Sequence, residues 1–384
     1  MQKKLKVLPI FGTRPEAIKM APLVKALERN EHCEVATVVT AQHRQMLDQV
    51  LTLFTITPKH DLNVMKDNQT LTDITARVLS GLKDILLLEK PDLVLVHGDT
   101  TTTFAGSLAA FYQQIPVGHV EAGLRTYNKY SPYPEEMNRK LTGALADLHF
   151  APTLTAKQCL LREAVAPEKI IVTGNTVIDA LLTTVAPGYQ FQDPGLNRID
   201  FQNRQVVLVT AHRRENLGEP LERIFGAIKR LVASHPQTEV IFPVHLNPKV
   251  RQVAQNVLGG VERVHLITPL DYEPFANLIN KCHLILTDSG GIQEEAPALG
   301  KPVLVLRDTT ERPEAVAAGT VKLVGTDPTA IFETASQLLN HPESYAQMAN
   351  AANPYGDGKA AARIVQAILY HFKIISQAPT EFAL

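Results

Sequence analysis

Three segments in the first half of the chain place carboxylates directly after a strand-like apolar run or at the start of a helix. They are "HGDTTTT" (97–103) with Asp99, "HVEAGLRT" (119–126) with Glu121 and "SPYPEEMNR" (131–139) with Glu135. Crowded, partly buried carboxyls can titrate near neutrality and can then accept and donate protons. Asp99 could equally cap a helix, and the helix dipole alone would explain Glu135. Convergence of the three would predict a proton-transfer site.

Basic residues at helix starts predict that an anion binds here. "GTRPEAIK" (12–19) puts Arg14 in the first turn of a helix, where a cation is unfavourable unless an anion joins it, and Lys19 lies further along. In the second half, "TAHRRENLG" (210–218) follows a strong apolar run and places His212 beside Arg213. A histidine next to arginines is a poor metal ligand and a good neighbour for phosphate.

The segment "TDSGGIQEE" (287–295) presents Ser289, Gly290 and Gly291 at a helix start, where backbone N–H groups attract phosphate. Two glutamates follow at once, although carboxylates repel phosphate. The ligand therefore needs both an anionic part and a part that hydrogen-bonds to a carboxylate. No G-x-G-x-x-G follows the first strand, and no P-loop, serine-hydrolase elbow or metal-ligand spacing occurs in the sequence. We therefore expect no dinucleotide cofactor and no metal.

These residues depend on a scaffold in which apolar runs alternate with helical stretches. Runs such as 7–11, 93–96, 206–209 and 284–286 are rich in Val, Leu and Ile without alternating polar residues, which is typical of parallel strands buried on both faces. Helical stretches such as 71–89 lie between them, so the pattern predicts a doubly wound α/β architecture. The polar segments follow the strands, and ligands bind at the carboxyl ends of strands in such sheets.

The overall composition sets further limits. A chain of 384 residues is long enough for two domains, and residues 186–205 are the best linker candidate. The formal net charge of -1 provides no basic field for nucleic acid or an anionic membrane. Three dispersed cysteines and the lack of a long apolar run predict a soluble, cytoplasmic protein.

Taken together, these motifs resemble the non-hydrolysing bacterial UDP-N-acetylglucosamine 2-epimerases. The resemblance runs from "FGTRPEAIKMAPLV" through "TAQHRQMLDQVL", "HGDTTTT", "HVEAGLRT", "YSPYPEEMNR", "TGNTVIDAL" and "TAHRRENLG" to "LTDSGGIQEEAPALGKPVLVLRDTTERPEAV" and "NPYGDG". It implies a GT-B-like fold of two Rossmann-like domains facing across a cleft. Residues 1–168 with 358–384, including a returning C-terminal helix, would form one domain, and residues 169–357 the UDP-binding domain.

The resemblance also implies the reaction, a reversible conversion of UDP-GlcNAc to UDP-ManNAc. UDP would leave by anti elimination, giving a 2-acetamidoglucal, and then add back. Asp99, Glu121, Glu135 and His212 match the catalytic positions of the family. The substrate-binding positions match Arg14, Lys19, Phe275, Ser289, Gly290, Gly291, Glu295 and Arg312. A regulatory UDP-GlcNAc site matches Gln42, Gln45, Gln69, Arg213 and His245.

The family further implies a cytoplasmic homodimer in cell-envelope polysaccharide biosynthesis that needs no NAD and no metal. UDP-GlcNAc, UDP-ManNAc and UDP would be its ligands. Three other functions are compatible with parts of the pattern: a GT-B glycosyltransferase, a hydrolysing epimerase that releases UDP, and a nucleotide-sugar sensor without chemistry. The carboxylates argue against the glycosyltransferase, because glycosyl transfer needs no proton shuttle at the second carbon.

Overall fold

The structure is a computed structural model that describes residues 3–41, 44–66 and 68–383, with only the backbone at position 45. The chain forms two compact units: the first runs to Ala180 and resumes at Tyr355, and the second runs from Leu181 to Pro354. The sequence places the first boundary after residue 168. In the structure the strand Ile170–Val172 still pairs within the first sheet, so the first unit extends to Ala180.

The first unit is built on a parallel sheet, for which eight strands lie in the described part of the chain. They are β1 (Leu5–Phe11), β2 (Cys33–Val35), β3 (Val38–Val39), β4 (His60–Asp61), β5 (Leu93–His97), β6 (Val117–Val120), β7 (Leu148–Ala151) and β8 (Ile170–Val172). The order is β4-β3-β1-β5-β6-β7-β8, and β2 pairs with β1. Strands β1, β5, β6 and β7 are almost entirely buried, as expected for a parallel sheet covered by helices.

The helices of this unit form two packed groups. They are α1 (Arg14–Glu28), α2 (Arg44–Leu53), α3 (Leu71–Glu89), α4 (Thr101–Tyr112), α5 (Glu135–Leu145), α6 (Leu154–Arg162), α7 (Thr176–Thr184), whose last turn belongs to the second unit, and α16 (Ala360–His371), which follows the second unit in the chain. Helices α3, α4 and α5 pack in sequence, whereas α1 packs against α2 and α16. Asp179 of α7 accepts hydrogen bonds from the backbone N–H groups of Ala360 and Ala361, so it caps α16 and ties the C-terminal helix to this unit.

The second unit repeats the architecture with a six-stranded parallel sheet in the order β11-β10-β9-β12-β13-β14, counted over the described residues. Its strands are β9 (Gln205–Thr210), β10 (Thr238–Pro243), β11 (Val264–Ile267), β12 (Leu284–Thr287), β13 (Val303–Val305) and β14 (Val321–Leu323). Its helices are α8 (Pro194–Asn197), α9 (Glu219–Ser234), α10 (Pro248–Leu258), α11 (Tyr272–Lys281), α12 (Gly290–Ala298), α13 (Pro313–Ala318), α14 (Pro328–Asn340) and α15 (Pro342–Ala349). Its core packs β9, β10 and β12 against the apolar faces of α9, α10 and α14.

A buried carboxylate, Glu89 at the end of α3, ties together three elements of the first unit. Burial by itself disfavours its charge. Three basic side chains outweigh this effect, because each places a nitrogen 2.6–2.9 Å from the carboxylate: Lys6 on β1, Lys59 just before β4 and His60 on β4. Their hydrogen bonds hold the pKa of Glu89 at about 2. No helix in the described ranges is both long and apolar enough to cross a membrane.

Candidate functional site

Each sheet has one point at which its connections diverge to opposite sides. In the first sheet this point lies between the neighbouring strands β1 and β5, and in the second between β9 and β12. In open α/β sheets, ligands bind outside the carboxyl ends of the strands at this point. Arg14 follows β1 and Asp99 follows β5, while His212 follows β9 and Ser289 follows β12. The topology therefore groups the predicted residues into one set on each unit.

Asp99 is held by an arginine and does not cap a helix. Its carboxylate accepts a hydrogen bond from Arg139 Nε at 2.8 Å, and its backbone oxygen accepts one from Asn138 Nδ2 at 2.9 Å. The cap of α4 is the next residue, Thr100, whose hydroxyl accepts from the Thr103 N–H. Asp99 is therefore not the helix cap, and its carboxylate forms an ion pair with Arg139.

Helix α5 brings the third predicted carboxylate to the same region. Arg139 is also bound by Glu136 at 3.0 Å, a buried residue that accepts the backbone N–H groups of Thr126 and Tyr127. Glu136 is thus a structural anchor. Glu135 is partly exposed and lies four residues before Arg139, on the same face of α5. The helix that holds Asp99 therefore also carries Glu135.

Glu121 follows β6 and lies in a small cluster of polar side chains. Its carboxylate forms an ion pair with Lys19 of α1 and accepts a hydrogen bond from Asn175 Nδ2 at 2.9 Å. His97 Nε2, at the end of β5, is 3.8 Å from the same carboxylate oxygen. The Glu121 backbone has φ of 61°, an uncommon conformation for a non-glycine residue. Lys19 thus contacts Glu121 as well as being a predicted ligand group.

His97 is a site neighbour that sequence reasoning missed. It is 3 % exposed, and neither ring nitrogen has a hydrogen-bond partner among the described residues. Burial lowers the pKa of His97 to about 4, with Glu121 opposing the shift, so the ring is neutral at pH 7. The signal was present in the sequence, because His97 is the last residue of a strand that ends beside Asp99.

The turn after β1 is organised by the buried Glu16. Its carboxylate accepts the N–H groups of Gly12 and Thr13 at 3.0 and 2.8 Å, and it also receives the hydroxyl of Thr100. Burial raises the pKa of Glu16. The Arg14 guanidinium begins α1 and has no hydrogen bond or ion pair to any described residue. Its anion-binding role stays a prediction.

In the second unit, His212 is placed by Asp288, a residue that the sequence analysis did not select. Asp288 is completely buried directly after β12, and His212 Nδ1 lies 3.4 Å from its Oδ1 atom. One face of the imidazole stacks on His245, with ring centroids 5.0 Å apart and planes 10° from parallel. Arg213 Nε donates to the Asp288 backbone oxygen. His212, which is predicted to be catalytic, thus lies beside Arg213 and His245, which are predicted to be regulatory.

Ser289 is the N-cap residue of α12, and Gly290 and Gly291 form the start of that helix. The Ser289 hydroxyl makes no capping hydrogen bond, so α12 begins without a side chain that occupies its first N–H groups. Glu295 lies one turn later, and its Oε1 would be 3.4 Å from a Cβ added at Gly291. The glycine-containing helix start and the Glu295 carboxylate are therefore adjacent.

Glu294, the residue before Glu295, holds a site arginine in place. It is buried beyond the first turn of α12 and forms an ion pair with Arg312. Its partner is a guanidinium that directly precedes α13. Arg312 is held by this contact. Phe275 is partly buried on α11.

Of the predicted regulatory residues in the first unit, Gln69 accepts a hydrogen bond from Arg77 at 3.1 Å. Gln42 and the side chain of Gln45 lie outside the described residues. The described residues include no group of three or more histidine, cysteine, aspartate or glutamate side chains arranged to hold a metal ion.

The fold and the two polar sets are those of a two-unit α/β enzyme, with carboxylates after the strands of one parallel sheet and a glycine-containing helix start after a strand of the other. Residues 25–369 match the family described as UDP-N-acetylglucosamine 2-epimerase. The chain is 59% identical over 380 residues to the UDP-N-acetylglucosamine 2-epimerase of Bacillus subtilis, covering 99% of each protein.

Two solved structures are similar throughout. One is a crystal structure from Listeria monocytogenes, with a TM-score of 0.94, 56% identity and coverage of 99% and 100% of the two chains. The other is the Neisseria meningitidis UDP-GlcNAc 2-epimerase bound to UDP-GlcNAc, with a TM-score of 0.82, 55% identity and coverage of 95% and 100%. The chain belongs to the UDP-N-acetylglucosamine 2-epimerase family. The predicted fold class of two parallel-sheet α/β domains and the predicted enzyme class, an isomerase, are confirmed.

Proposed function

We propose that this protein interconverts UDP-GlcNAc and UDP-ManNAc by anti elimination of UDP to a 2-acetamidoglucal, followed by re-addition without hydrolysis. The observation that carries the mechanism is the pair of held carboxylates at neighbouring strand ends, Asp99 on Arg139 and Glu121 on Lys19. Epimerisation must remove the proton at the second carbon of the sugar and return one to the opposite face. Two positioned carboxylates and Glu135 on the adjoining helix supply acceptors and donors for these steps.

The cations beside these carboxylates have a specific consequence. A positive charge within about 4 Å stabilises the ionised form of a carboxyl, which is the form that accepts a proton. Lys19 is a cation of this kind beside Glu121, and Arg139 Nε lies 2.8 Å from Asp99 Oδ2. The Asn175 amide adds a hydrogen bond to Glu121 that fixes its direction. We therefore assign Asp99, Glu121 and Glu135 as the acid–base groups.

The second polar set suits the nucleotide. Backbone N–H groups at the start of α12, with Ser289, Gly290 and Gly291, would bind the diphosphate, and Glu295 would accept hydrogen bonds from the ribose hydroxyls. His212 would stabilise charge on the departing diphosphate, with Arg14, Lys19 and Arg312 as further basic groups. Phe275 would lie beside the uracil. UDP-GlcNAc bound to the Neisseria meningitidis relative supports this class of ligand.

We also propose a regulatory UDP-GlcNAc site formed by Gln42, Gln45, Gln69, Arg213 and His245. Its support in the second unit is the contact between predicted regulatory and catalytic side chains, because His245 stacks directly on His212. A ligand that orders His245 would therefore change the surroundings of His212. Differential contacts of this kind are what couple two sites.

We propose a homodimer whose interface includes the C-terminal ends of α3 and α4, which pack against each other. Leu87 and Leu88 at the end of α3 and Phe111 and Tyr112 at the end of α4 are 50–72% exposed. Each of these two packed helices therefore ends in two exposed large apolar side chains, which is a common feature of interfaces. The three free buried cysteines fit the reducing cytoplasm, where UDP-ManNAc would be supplied for cell-envelope polysaccharide.

The test is incubation of the protein with UDP-GlcNAc in deuterated water without an acceptor. Deuterium at the second carbon of both UDP-sugars, with no stoichiometric release of UDP, is expected. Absence of deuterium would refute proton exchange at that carbon, and release of all the UDP would indicate a hydrolysing enzyme. Asp99→Asn and Glu121→Gln should lower exchange by about 100-fold or more while UDP still binds. Equal losses of exchange and UDP affinity would contradict the acid–base assignment.

A further inference from the structure

Asp288 is the most completely buried carboxylate that contacts a predicted site residue, and its Oδ2 atom accepts three hydrogen bonds. That oxygen accepts the backbone N–H groups of His212 and Arg213, both at 2.8 Å, and the side-chain amide of Asn216 at 3.0 Å. These contacts connect the segment after β12 to the segment after β9. They fix the backbone from which the His212 ring projects.

The second oxygen of Asp288 differs from the first in its hydrogen bonding. Its Oδ1 atom is buried and has no hydrogen-bond partner among the described residues, yet His212 Nδ1 is 3.4 Å away. A buried carboxylate oxygen without a partner is costly, so such an atom calls for an explanation. Hydrogen bonds in active sites are often long before the ligand binds and tighten afterwards. A small rotation of the imidazole would let Nδ1–H donate to this oxygen.

We propose that Asp288 is the positioning residue for His212. Its Oδ1 accepts a hydrogen bond from Nδ1–H of the imidazole, which leaves Nε2 to face the ligand. The proposal rests on the proposed function of His212 at the diphosphate. The tautomer of a histidine is set by the hydrogen bond made at its other nitrogen. When the anionic diphosphate binds, Nε2 takes up a proton from solvent. The resulting imidazolium, held at Nδ1 by the Asp288 carboxylate, donates a hydrogen bond from Nε2 to the departing diphosphate as its negative charge develops.

The other charged groups around His212 make this support necessary. Burial lowers the pKa of His212, and the carboxylate of Asp288 is the strongest influence opposing that shift. His245, stacked on the ring, and Arg213 in the same segment both disfavour a positive charge, whereas Glu215 favours it more weakly. Without Asp288 the ring would therefore be neutral over a wider range of pH.

The test substitutes Asp288→Asn, which retains an oxygen for the N–H groups of residues 212 and 213 but presents an amide to Nδ1. That amide donates, so it should force the Nε2–H tautomer and lower the pKa of His212. We expect kcat to fall by about 10- to 100-fold with little change in KM, because ground-state contacts to the diphosphate remain. The histidine limb of the pH profile should move to lower pH.

Nitrogen-15 NMR of the imidazole reads the tautomer and the titration directly. In the unaltered protein, His212 should be neutral as the Nδ1–H form; the Nε2–H form would overturn the proposal even if the variant does not fold. Asp327→Asn is the matched control, because Asp327 also accepts a backbone N–H, in the cap of α14, and Asn caps equally well. It should leave the tautomer and kcat unchanged.

A purely structural role gives a different result. Asn216→Ala removes one hydrogen bond from Oδ2 but retains the carboxylate, so it should lower Tm without changing the His212 tautomer. If Asp288→Asn lowers stability and leaves the tautomer and titration unchanged, the proposal is wrong. If the unaltered protein shows no epimerisation while the NMR result holds, the proposed function fails and the placement of His212 by Asp288 remains.

Discussion

Lys19→Met isolates the effect of the cation beside Glu121. The lysine and glutamate side chains are 18% and 9% exposed, so water screens their ion pair only partly. At about 4 Å and an effective dielectric constant near 20, two unit charges attract by about 4 kcal/mol. The Asn175 hydrogen bond remains in the variant and retains part of the stabilisation. A nearby opposite charge typically shifts a carboxyl titration by about 1–3 pH units.

Loss of the cation makes the carboxylate harder to ionise, so the acid limb of kcat/KM should move to higher pH by about 1–3 units. At a fixed pH on that limb, activity should fall by about 10- to 1000-fold. Raising the pH should recover most of this loss. The assay is the rate of UDP-ManNAc formation from UDP-GlcNAc, measured from pH 5 to 10 with substrate below KM.

Lys25→Met is the matched control, since Lys25 lies on the same helix and forms an ion pair with Glu28 at 2.7 Å on its exposed side. Its pH profile should match that of the unaltered protein. A Lys19→Met profile with the acid limb in its original place would refute the stabilisation of the Glu121 carboxylate. A uniform fall at every pH would assign Lys19 to substrate binding alone.

Four further predictions test stability, assembly and regulation. The pKa of Glu89 is depressed from 4.5 to about 2, so its contribution to folding stability is present above pH 4.5 and lost as the pH falls through 2. In urea unfolding, Glu89→Gln should lower the free energy of unfolding by about 1–3 kcal/mol at pH 7, and this loss should shrink towards pH 2. Gly12→Ala should lower stability by about 1–3 kcal/mol in the same assay, because the new Cβ would lie 1.9 Å from Thr40 Oγ1; an unchanged midpoint would contradict this close approach. Leu88→Asp should convert a dimer to a monomer in sedimentation equilibrium, and an unchanged mass would exclude this surface. If UDP-GlcNAc regulates the enzyme, Gln69→Ala should turn sigmoidal rate curves hyperbolic, and curves that stay sigmoidal would exclude Gln69 from the site.

Much of the scaffold could be predicted from the sequence because its longer elements have strong local patterns. The helix predicted at 71–89 is found over Leu71–Glu89, with Thr70 and Asp73 forming a capping box. The apolar residues around 33–39, by contrast, form two short strands, Cys33–Val35 and Val38–Val39, both paired with β1. Strands such as β7 and β8 were not singled out. They have only three or four residues, so pairing with neighbours, more than local composition, makes them strands.

The sequence by itself determined which segments are candidates for chemistry, because polar residues that interrupt an α/β pattern at strand ends can be read directly from it. Their partners were decided by the tertiary structure. Arg139 reaches Asp99 across 40 residues, Asn175 reaches Glu121 across 54, and Asp288 reaches His212 across 76. Parallel strands that are neighbours in a sheet can be far apart in the chain, so no local pattern pairs the residues that follow them. Folding brings these carboxylates and their partners together, and with them the charges that set their chemistry.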